Sequence, residues 1–139
     1  MAQMSDKLID ELICRAKDMQ KLAYAPYSNF KVGAALLAKN GEIFGGCNIE
    51  NATYSPSICA ERCAIAKAVS EGVREFEAIC IVGGHGGEIK KYCYPCGVCC
   101  QVMSEFCNPD VLKIITVDGG GNLQIKTLRE LMPYGFTLK

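Results

Sequence analysis

Two short cysteine motifs are the part of this sequence best suited to bind a metal. Cys96 and Cys99 form a C-x-x-C pair directly after Pro95, and Cys59 is followed two positions later by Glu61. Alone, a C-x-x-C pair leaves three interpretations open: a redox pair, half of a structural zinc site, or two buried thiols. The motif of Cys59 and Glu61 adds a third thiol and a carboxylate. If the fold brings the two motifs together, they indicate a single metal site.

Both motifs are predicted to lie at the start of a helix, where side chains lean toward the N-terminus and gather over the end of the axis. Two such helix starts that face each other would bring the three thiols together, with Glu61 beside them. Three protein ligands and one open position are typical of catalytic zinc. A carboxylate beside a zinc-bound water can accept its proton, so Glu61 favours a catalytic site.

A structural zinc site is the alternative, because Cys93 or Cys100 could supply a fourth thiolate. Three thiolates leave zinc with a net charge of about −1, which the positive ends of two helices would offset. Arg62 could offset it too by donating hydrogen bonds to the cysteine sulfurs, although an exposed surface arginine is the simpler interpretation.

The elements that must position these residues follow from the spacing of apolar residues and from turn and cap signals. The predicted order is a helix capped by Ser5 over residues 8–23, a hairpin of strands at 32–37 and 43–47, a helix over 58–71 that Gly72 caps, a strand at 78–82, a helix with Pro95 at its first position, strands at 112–117 and 123–126, and a last helix with a Thr127/Glu130 capping box. This αββαβαββα order predicts an α/β fold, a three-layer α-β-α domain with a mixed five-stranded sheet.

The composition limits the class of protein. A chain of 139 residues suits a single domain, here residues 1–139. Fifteen Lys and Arg residues balance fifteen Asp and Glu residues without a basic run, so we expect a small or neutral partner and no nucleic acid. Charged residues interrupt the first fifteen positions, which predicts neither a secretion signal nor a membrane span. We therefore expect a cytoplasmic protein with reduced thiols and no membrane partner.

Seven further cysteines need a separate explanation. Half of the residues are hydrophobic, so a packed core can hold the fold without disulfides. We expect these seven thiols to be reduced and to pack in the interior as small apolar residues. They are Cys14, Cys47, Cys63, Cys80, Cys93, Cys100 and Cys107. The only histidine, His85, lies among the glycines of residues 83–87, which predicts a flexible loop.

Four longer segments add a pattern that is more specific than any C-x-x-C pair. They are YAPYSNFKVGAALL at 24–37, GCNIENA at 46–52, CAERCAIAKAVSEG at 59–72 and LMPYGF at 131–136. In these segments, and in Cys-Ala-Glu and Pro-Cys-x-x-Cys, the sequence resembles the cytidine deaminases, a family of small homotetrameric zinc-dependent nucleoside deaminases. The resemblance spans nearly the whole chain and implies the fold of that family.

The resemblance implies a role for each matching residue at the metal. Cys59, Cys96 and Cys99 would bind one Zn²⁺ per chain, and Glu61 would be the catalytic proton shuttle. The implied reaction is hydrolytic deamination of cytidine and deoxycytidine to uridine and deoxyuridine plus ammonia, a step of pyrimidine salvage. In it, zinc hydroxide attacks C4 of the ring, and Glu61 delivers a proton to N3 and then to the departing ammonia.

Further matches concern the substrate. Asn48 and Glu50 would bind the ribose hydroxyls, although a polar loop after a strand is the alternative. Phe30 would pack beside the nucleoside, or within the core. The remaining matches are the backbone of Ala60, which would contact the base, and Ala52, Tyr54 and Phe136, which would reach the site of a neighbouring subunit in a homotetramer.

Two residues depart from the family pattern. Cys63 stands where the family usually has threonine, and Cys100 replaces the arginine that usually follows the second cysteine of C-x-x-C. Two other functions therefore stay open. One is an interaction module stabilised by structural zinc, and the other is a deaminase of another aminopyrimidine, such as a nucleoside antibiotic or a modified cytidine.

Overall fold

A computed structural model describes residues 4–139, so the first three positions of the predicted 1–139 domain lie outside the described residues. The observed order of helices and strands confirms the predicted one. The elements are α1 (Asp6–Gln20), β1 (Phe30–Ala38), β2 (Ile43–Cys47), α2 (Ala60–Ser70), β3 (Phe76–His85), α3 (Gly97–Phe106), β4 (Lys113–Val117), β5 (Leu123–Thr127) and α4 (Leu128–Leu131).

The five strands form one mixed sheet, as predicted, and their order in it is β2-β1-β3-β4-β5. Strands β3 and β4 are parallel, and α3 is the crossover that a parallel pair requires. The other neighbouring strands are antiparallel. The chain therefore leaves the carboxyl end of the central strand β3 and leads into the start of α3.

Helices cover both faces of the sheet and give the three predicted layers. Successive residues of a strand point to opposite faces, so β1 contributes to two hydrophobic clusters. Leu37 packs with Leu12 of α1 on one face. Leu36 packs on the other face with Ala64 of α2 and Met103 of α3. Helices α2 and α3 consequently lie side by side on one face of the sheet.

Local signals in the sequence explain several element ends. Ser5 accepts a hydrogen bond from the Leu8 backbone N–H at 3.2 Å and caps α1. Gly72 follows α2 with a φ of +88°, which favours glycine. Thr127 and Glu130 form the predicted capping box at α4. The predicted hairpin is also present, with Leu37 opposite Ile43.

Three predicted helix ends were wrong. Helix α1 ends at Gln20 rather than at residue 23, and the Tyr24 backbone N–H then donates to the Asn48 carbonyl at 3.0 Å. Helix α2 begins at Ala60 rather than at Ile58, because Ile58 is extended and exchanges two backbone hydrogen bonds with Ile49. Helix α3 begins at Gly97 rather than at Pro95, and the Cys96 sulfur caps it by accepting from the Cys99 N–H at 3.4 Å.

The glycine-rich segment around His85 is the end of a strand, not the predicted flexible loop. Gly83, Gly84 and His85 belong to β3 and pair with Val32, Lys31 and Phe30 of β1. The His85 ring meets the Phe30 ring edge-on, with centroids 5.1 Å apart. A Cβ on Gly84 would lie 1.8 Å from the Glu88 carbonyl oxygen, so glycine is needed here for close packing of the returning chain.

All ten cysteines are free, as expected. Of the seven outside the metal motifs, Cys14 is exposed, so its predicted interior position was wrong. Its place in α1 lies outside the stripe of Ile9, Leu12 and Ala16 that the helix buries. The others are buried or half-buried.

Within residues 4–139, no helix combines the length and the apolar character that crossing a membrane would need.

Candidate active site

The three metal-motif cysteines meet where α2 and α3 begin. Cys59 is the residue before the first turn of α2, and Cys96 is the residue before the first turn of α3. Gly46 of β2 allows α2 to approach the sheet, since a Cβ there would lie 2.4 Å from the Ala60 carbonyl oxygen. The Cys59 sulfur makes no capping hydrogen bond to its own helix and is directed to the Cys96 sulfur.

The spacing of the three sulfurs suits a tetrahedral zinc ion. Cys59 Sγ lies 3.9 Å from Cys96 Sγ, and Cys96 Sγ lies 3.5 Å from Cys99 Sγ. All three sulfurs lie within 4.8 Å of one another. Zinc–sulfur bonds of about 2.3 Å at tetrahedral angles require sulfurs about 3.8 Å apart. The residues present therefore fit zinc without rearrangement of the backbone.

A fourth thiolate is not in place. Among residues 4–139, Cys59, Cys96 and Cys99 are the only group of three or more potential ligands so closely spaced, and neither Cys93 nor Cys100 belongs to it. The Cys100 thiol is 3.9 Å from the Pro95 carbonyl oxygen, which it can reach as a donor. Cys93 lines the cavity beside the cluster, and burial raises the pKa of its thiol to about 12. The described geometry thus favours three ligands and an open position.

Hydrogen bonds among the three clustered cysteines and Arg62 favour ionisation of the Cys59 thiol. A hydrogen bond from Cys99, followed by hydrogen bonding from Arg62, lowers the pKa of Cys59 to about 5. The same bond to Cys59, together with burial, raises the pKa of Cys99. Arg62 is half-buried rather than exposed, and its Nη2 donates to Cys59 Sγ at 3.4 Å. Its Nε is buried without a hydrogen-bond partner among the described residues, so a donor remains unused beside the sulfurs.

Glu61 lies in the first turn of α2, next to the thiol cluster. It is 4% exposed, and burial is the main cause that raises the pKa of its carboxyl group. A carboxyl group whose pKa is moved toward neutrality both accepts and returns a proton readily at physiological pH. The position and the environment of Glu61 therefore suit proton transfer.

A cavity of about 600 Å³ opens over the cluster, within the range that small-molecule ligands occupy. Nearly all of the predicted site residues line it. They are Phe30, Asn48, Glu50, Tyr54, Cys59, Ala60, Glu61, Arg62 and Cys96. Cys99 is fully buried beside them. Ala52 and Phe136 are exposed and do not line the cavity of their own chain.

Asn48 is fixed at the cavity wall, which argues against a loose polar loop. Its Oδ1 accepts from the Val32 N–H at 2.9 Å, and its Nδ2 donates to the Phe30 carbonyl at 2.8 Å. An amide side chain has two donor hydrogens and two acceptor lone pairs. One donor and one acceptor of Asn48 therefore remain for a ligand.

Glu50 is held by the turn that precedes β1. Its Oε1 accepts from the backbone N–H groups of Tyr27 at 2.9 Å and Ser28 at 3.2 Å, and its Oε2 accepts from the Ser28 hydroxyl at 2.5 Å. These bonds, with that of the Ser28 hydroxyl the strongest, lower the pKa of Glu50. Glu50 is thus an ionised acceptor at the cavity wall.

Sequence reasoning missed Ser28 and several cavity residues, among them Tyr94 and Val98. Ser28 lies inside the YAPYSNF segment, but a serine in a turn carries no signal of its own. Tyr94 lies two residues before the C-x-x-C motif and Val98 lies inside it, and that proximity is the one signal that could have identified them.

Comparison with known proteins agrees with this geometry. The family model for the cytidine and deoxycytidylate deaminase zinc-binding region matches residues 6–115. A cytidine deaminase of Sporosarcina psychrophila is 45% identical over 129 residues, covering 93% of this chain and 91% of that protein. A blasticidin-S deaminase of Bacillus cereus is 34% identical over 110 residues, covering 76% of this chain and 76% of that protein.

The fold agrees as well. The crystal structure of cytidine deaminase from Burkholderia pseudomallei matches with a TM-score of 0.84 at 42% identity, covering 96% of this chain and 100% of that one. The match to a zinc-binding deaminase region also supports zinc as the ion that the three thiols fit. On sequence and on structure, the chain belongs to the cytidine and deoxycytidylate deaminase family.

Proposed function

We propose that this protein is a cytidine deaminase, which hydrolyses cytidine and deoxycytidine to uridine and deoxyuridine with release of ammonia. The observation that carries the proposal is the buried Glu61 carboxyl group beside three thiols at one cavity. A closed structural zinc site would need a fourth thiolate and would have no use for this carboxyl group.

Zinc held by Cys59, Cys96 and Cys99 would supply the nucleophile by lowering the pKa of a water molecule. Glu61 would take the proton that this water loses and deliver it to N3 of the cytosine ring. It would then take the proton of the hydroxyl group added at C4 and pass it to the exocyclic nitrogen, which leaves as ammonia while C4 becomes a carbonyl carbon. Burial of Glu61 supports this role, because a raised pKa lets one carboxyl group act as base and then as acid.

The cavity wall supports recognition of a sugar. Glu50 offers an ionised acceptor, and Asn48 keeps one donor and one acceptor free. A sugar hydroxyl can donate to the first and accept from the second. Phe30 would pack beside the nucleoside, and the backbone of Ala60 would contact the base.

We further propose a homotetramer in which Ala52, Tyr54 and Phe136 reach a neighbouring site. Tyr54 and Phe136 support this, since they are 76% and 66% exposed and a neighbouring chain could cover them. Ten free cysteines support a reducing compartment, which we take to be the cytoplasm. The products would make the enzyme part of pyrimidine salvage, and the single catalytic domain would span residues 1–139.

An absorbance assay tests the proposal on cytidine, deoxycytidine and free cytosine, with zinc measured per chain. We expect turnover of both nucleosides, little turnover of cytosine because it lacks the sugar, and one zinc per chain. Protein that contains zinc and releases no ammonia from either nucleoside would contradict the proposal.

The 34% identity to a blasticidin-S deaminase favours a second candidate function, deamination of another aminopyrimidine nucleoside. Comparison of kcat/KM for blasticidin S and cytidine in the same assay separates the two. A higher value for cytidine supports the first function, and a higher value for blasticidin S supports the second.

A further inference from the structure

The Ser28 hydroxyl connects two residues of the cavity wall. It donates to Glu50 Oε2 at 2.5 Å and accepts from the Phe30 backbone N–H at 3.0 Å. Among residues 4–139 it is the only side chain that hydrogen-bonds Glu50. Ser28 itself does not line the cavity, so it can affect a ligand only through Glu50.

The acceptor capacity of Glu50 is nearly filled. A carboxylate offers about four lone-pair directions, two on each oxygen. Oε1 already accepts from the backbone N–H groups of Tyr27 and Ser28, and Oε2 accepts from the Ser28 hydroxyl. One direction, on Oε2, is left. Because Glu50 lines the cavity, this acceptor can serve one ligand hydroxyl.

We propose that Ser28 is a positioning residue for sugar recognition, whose hydroxyl orients Glu50 so that Oε2 accepts from one sugar hydroxyl of the substrate. This inference rests on the proposed function. Cytidine and deoxycytidine share the 3′-hydroxyl and differ at the 2′ position, so a single acceptor used for both nucleosides receives the 3′-hydroxyl.

Loss of the Ser28 hydroxyl changes orientation more than placement. The two backbone N–H groups still hold Oε1, so the carboxylate stays at the cavity wall. Oε2 loses its one protein donor and turns toward water. The loss of substrate affinity is therefore confined to substrates that have the 3′-hydroxyl. A general loosening of the turn would instead affect all substrates.

The test compares kcat/KM for deoxycytidine and 2′,3′-dideoxycytidine, which differ only in the 3′-hydroxyl. Ser28→Ala is expected to lower the ratio of the two values about 3- to 10-fold, the effect of one partly exposed hydrogen bond. The change appears in KM for deoxycytidine, and dideoxycytidine is turned over as before. Ser28→Thr, which keeps a hydroxyl, retains the ratio.

The matched control is Ser70→Ala. Ser70 is an exposed serine at the end of α2 whose hydroxyl donates to the Lys67 carbonyl at 2.8 Å, and this variant is expected to leave both substrates unaffected. Ser28→Cys, with nearly the same shape and a weak donor, serves if Ser28→Ala does not fold. In a Glu50→Gln background, Ser28→Ala is expected to lower the ratio no further.

An unchanged ratio in Ser28→Ala overturns the inference, and so does an equal loss for both substrates. In either case turnover by the wild type leaves the proposed function standing. A zinc-loaded wild type that turns over neither nucleoside overturns the proposed function, and the inference with it.

Discussion

Glu61 is the only buried carboxyl group among residues 4–139, and no ion pair in that range includes it. Burying a carboxyl group without an ionic partner costs folding free energy. Its neighbours are the sulfurs of Cys59 and Cys99, and the charge on an ionised Cys59 repels its own. A cation at the thiol cluster would relieve this repulsion, so the carboxyl group and the metal are coupled.

Glu61→Gln should keep the fold and the zinc but lower kcat about 10²- to 10⁴-fold, because the amide fills the same space and carries no transferable proton. The free energy of unfolding should stay the same or rise, since a neutral amide is less costly to bury. Turnover, zinc content and thermal unfolding measure this. Glu71→Gln, an exposed residue at the end of α2, is the control. Normal turnover by Glu61→Gln would show that its role is misassigned.

Cys96→Ala and Cys93→Ala separate a three-thiolate site from a four-thiolate site. Cys96 belongs to the cluster of sulfurs and Cys93 does not. We expect the first variant to lose zinc and the second to retain one ion per chain, measured by elemental analysis after dialysis. Loss of zinc from Cys93→Ala, or an X-ray absorption spectrum with four sulfurs and no oxygen, would instead indicate a structural site.

At the scale of elements, the close approach of β2 and α2 sets the position of Cys59 and Glu61. A Cβ on Gly46 would lie 2.4 Å from the Ala60 carbonyl oxygen and 2.5 Å from the Ala64 nitrogen. Both atoms belong to the helix backbone, so the helix itself must move to make room. The first turn of α2 would move with it.

Gly46→Ala should therefore lower the free energy of unfolding by about 1 to 3 kcal/mol and weaken zinc binding, because overpacking displaces the helix. Gly97→Ala is the matched control. Gly97 lies in the first turn of α3, where an added Cβ would meet no neighbouring atom within 4 Å, and the substitution should leave the unfolding free energy unchanged or raised by under about 1 kcal/mol. Chemical denaturation and a zinc competition assay measure both effects. Equal effects of the two substitutions would contradict this role of Gly46.

The order of the elements could be predicted because its signals are local. The Ser5 cap, Gly72 and the Thr127/Glu130 box each act within one turn of chain. The extension of β3 through residues 83–85 could not be predicted, since its glycines extend only by pairing with β1, which is distant in sequence. The start of α2 differs from the prediction for a related reason. Ile58 is held extended by backbone hydrogen bonds to Ile49, so the helix begins only at Ala60.

At the scale of the whole molecule, several large apolar side chains are exposed and would be available to the proposed tetramer interfaces. Tyr54 has a φ of +63° and is 76% exposed at the mouth of the cavity, and Phe136 is 66% exposed near the C-terminus. Tyr134 and Leu138 are more exposed still. A contiguous group of such side chains is typical of a protein interface, so we place these residues in the interfaces of the proposed tetramer.

Phe136→Asp should therefore shift the proposed tetramer toward smaller species, because a charge is costly to bury in an interface. Sedimentation velocity at several concentrations measures the change. Glu105→Ala, which removes an exposed charge paired with Lys139, is the control and should leave the mass unchanged. A wild type that sediments as a monomer would contradict the proposed tetramer.

The site was predictable at the metal and less so at the substrate. The two cysteine motifs, taken together with the longer segments that resemble the family, identify Cys59, Glu61, Cys96 and Cys99 from the sequence. The acceptor state of Glu50 depends on a turn that is distant in sequence, at Ser28, which no spacing rule connects to it. Ala52 and Phe136 are exposed in one chain, so a role for them requires a second chain.

The most direct measurement is a zinc titration of chelator-treated protein, with bound zinc and cytidine turnover recorded at each step. We predict that turnover is absent without metal, rises in proportion to bound zinc and reaches its maximum at one ion per chain. Glu61→Gln should bind zinc equally well without regaining turnover. Turnover in the metal-free protein, or a zinc-loaded wild type without turnover, would contradict the assignment of these thiols and this carboxyl group to one catalytic site.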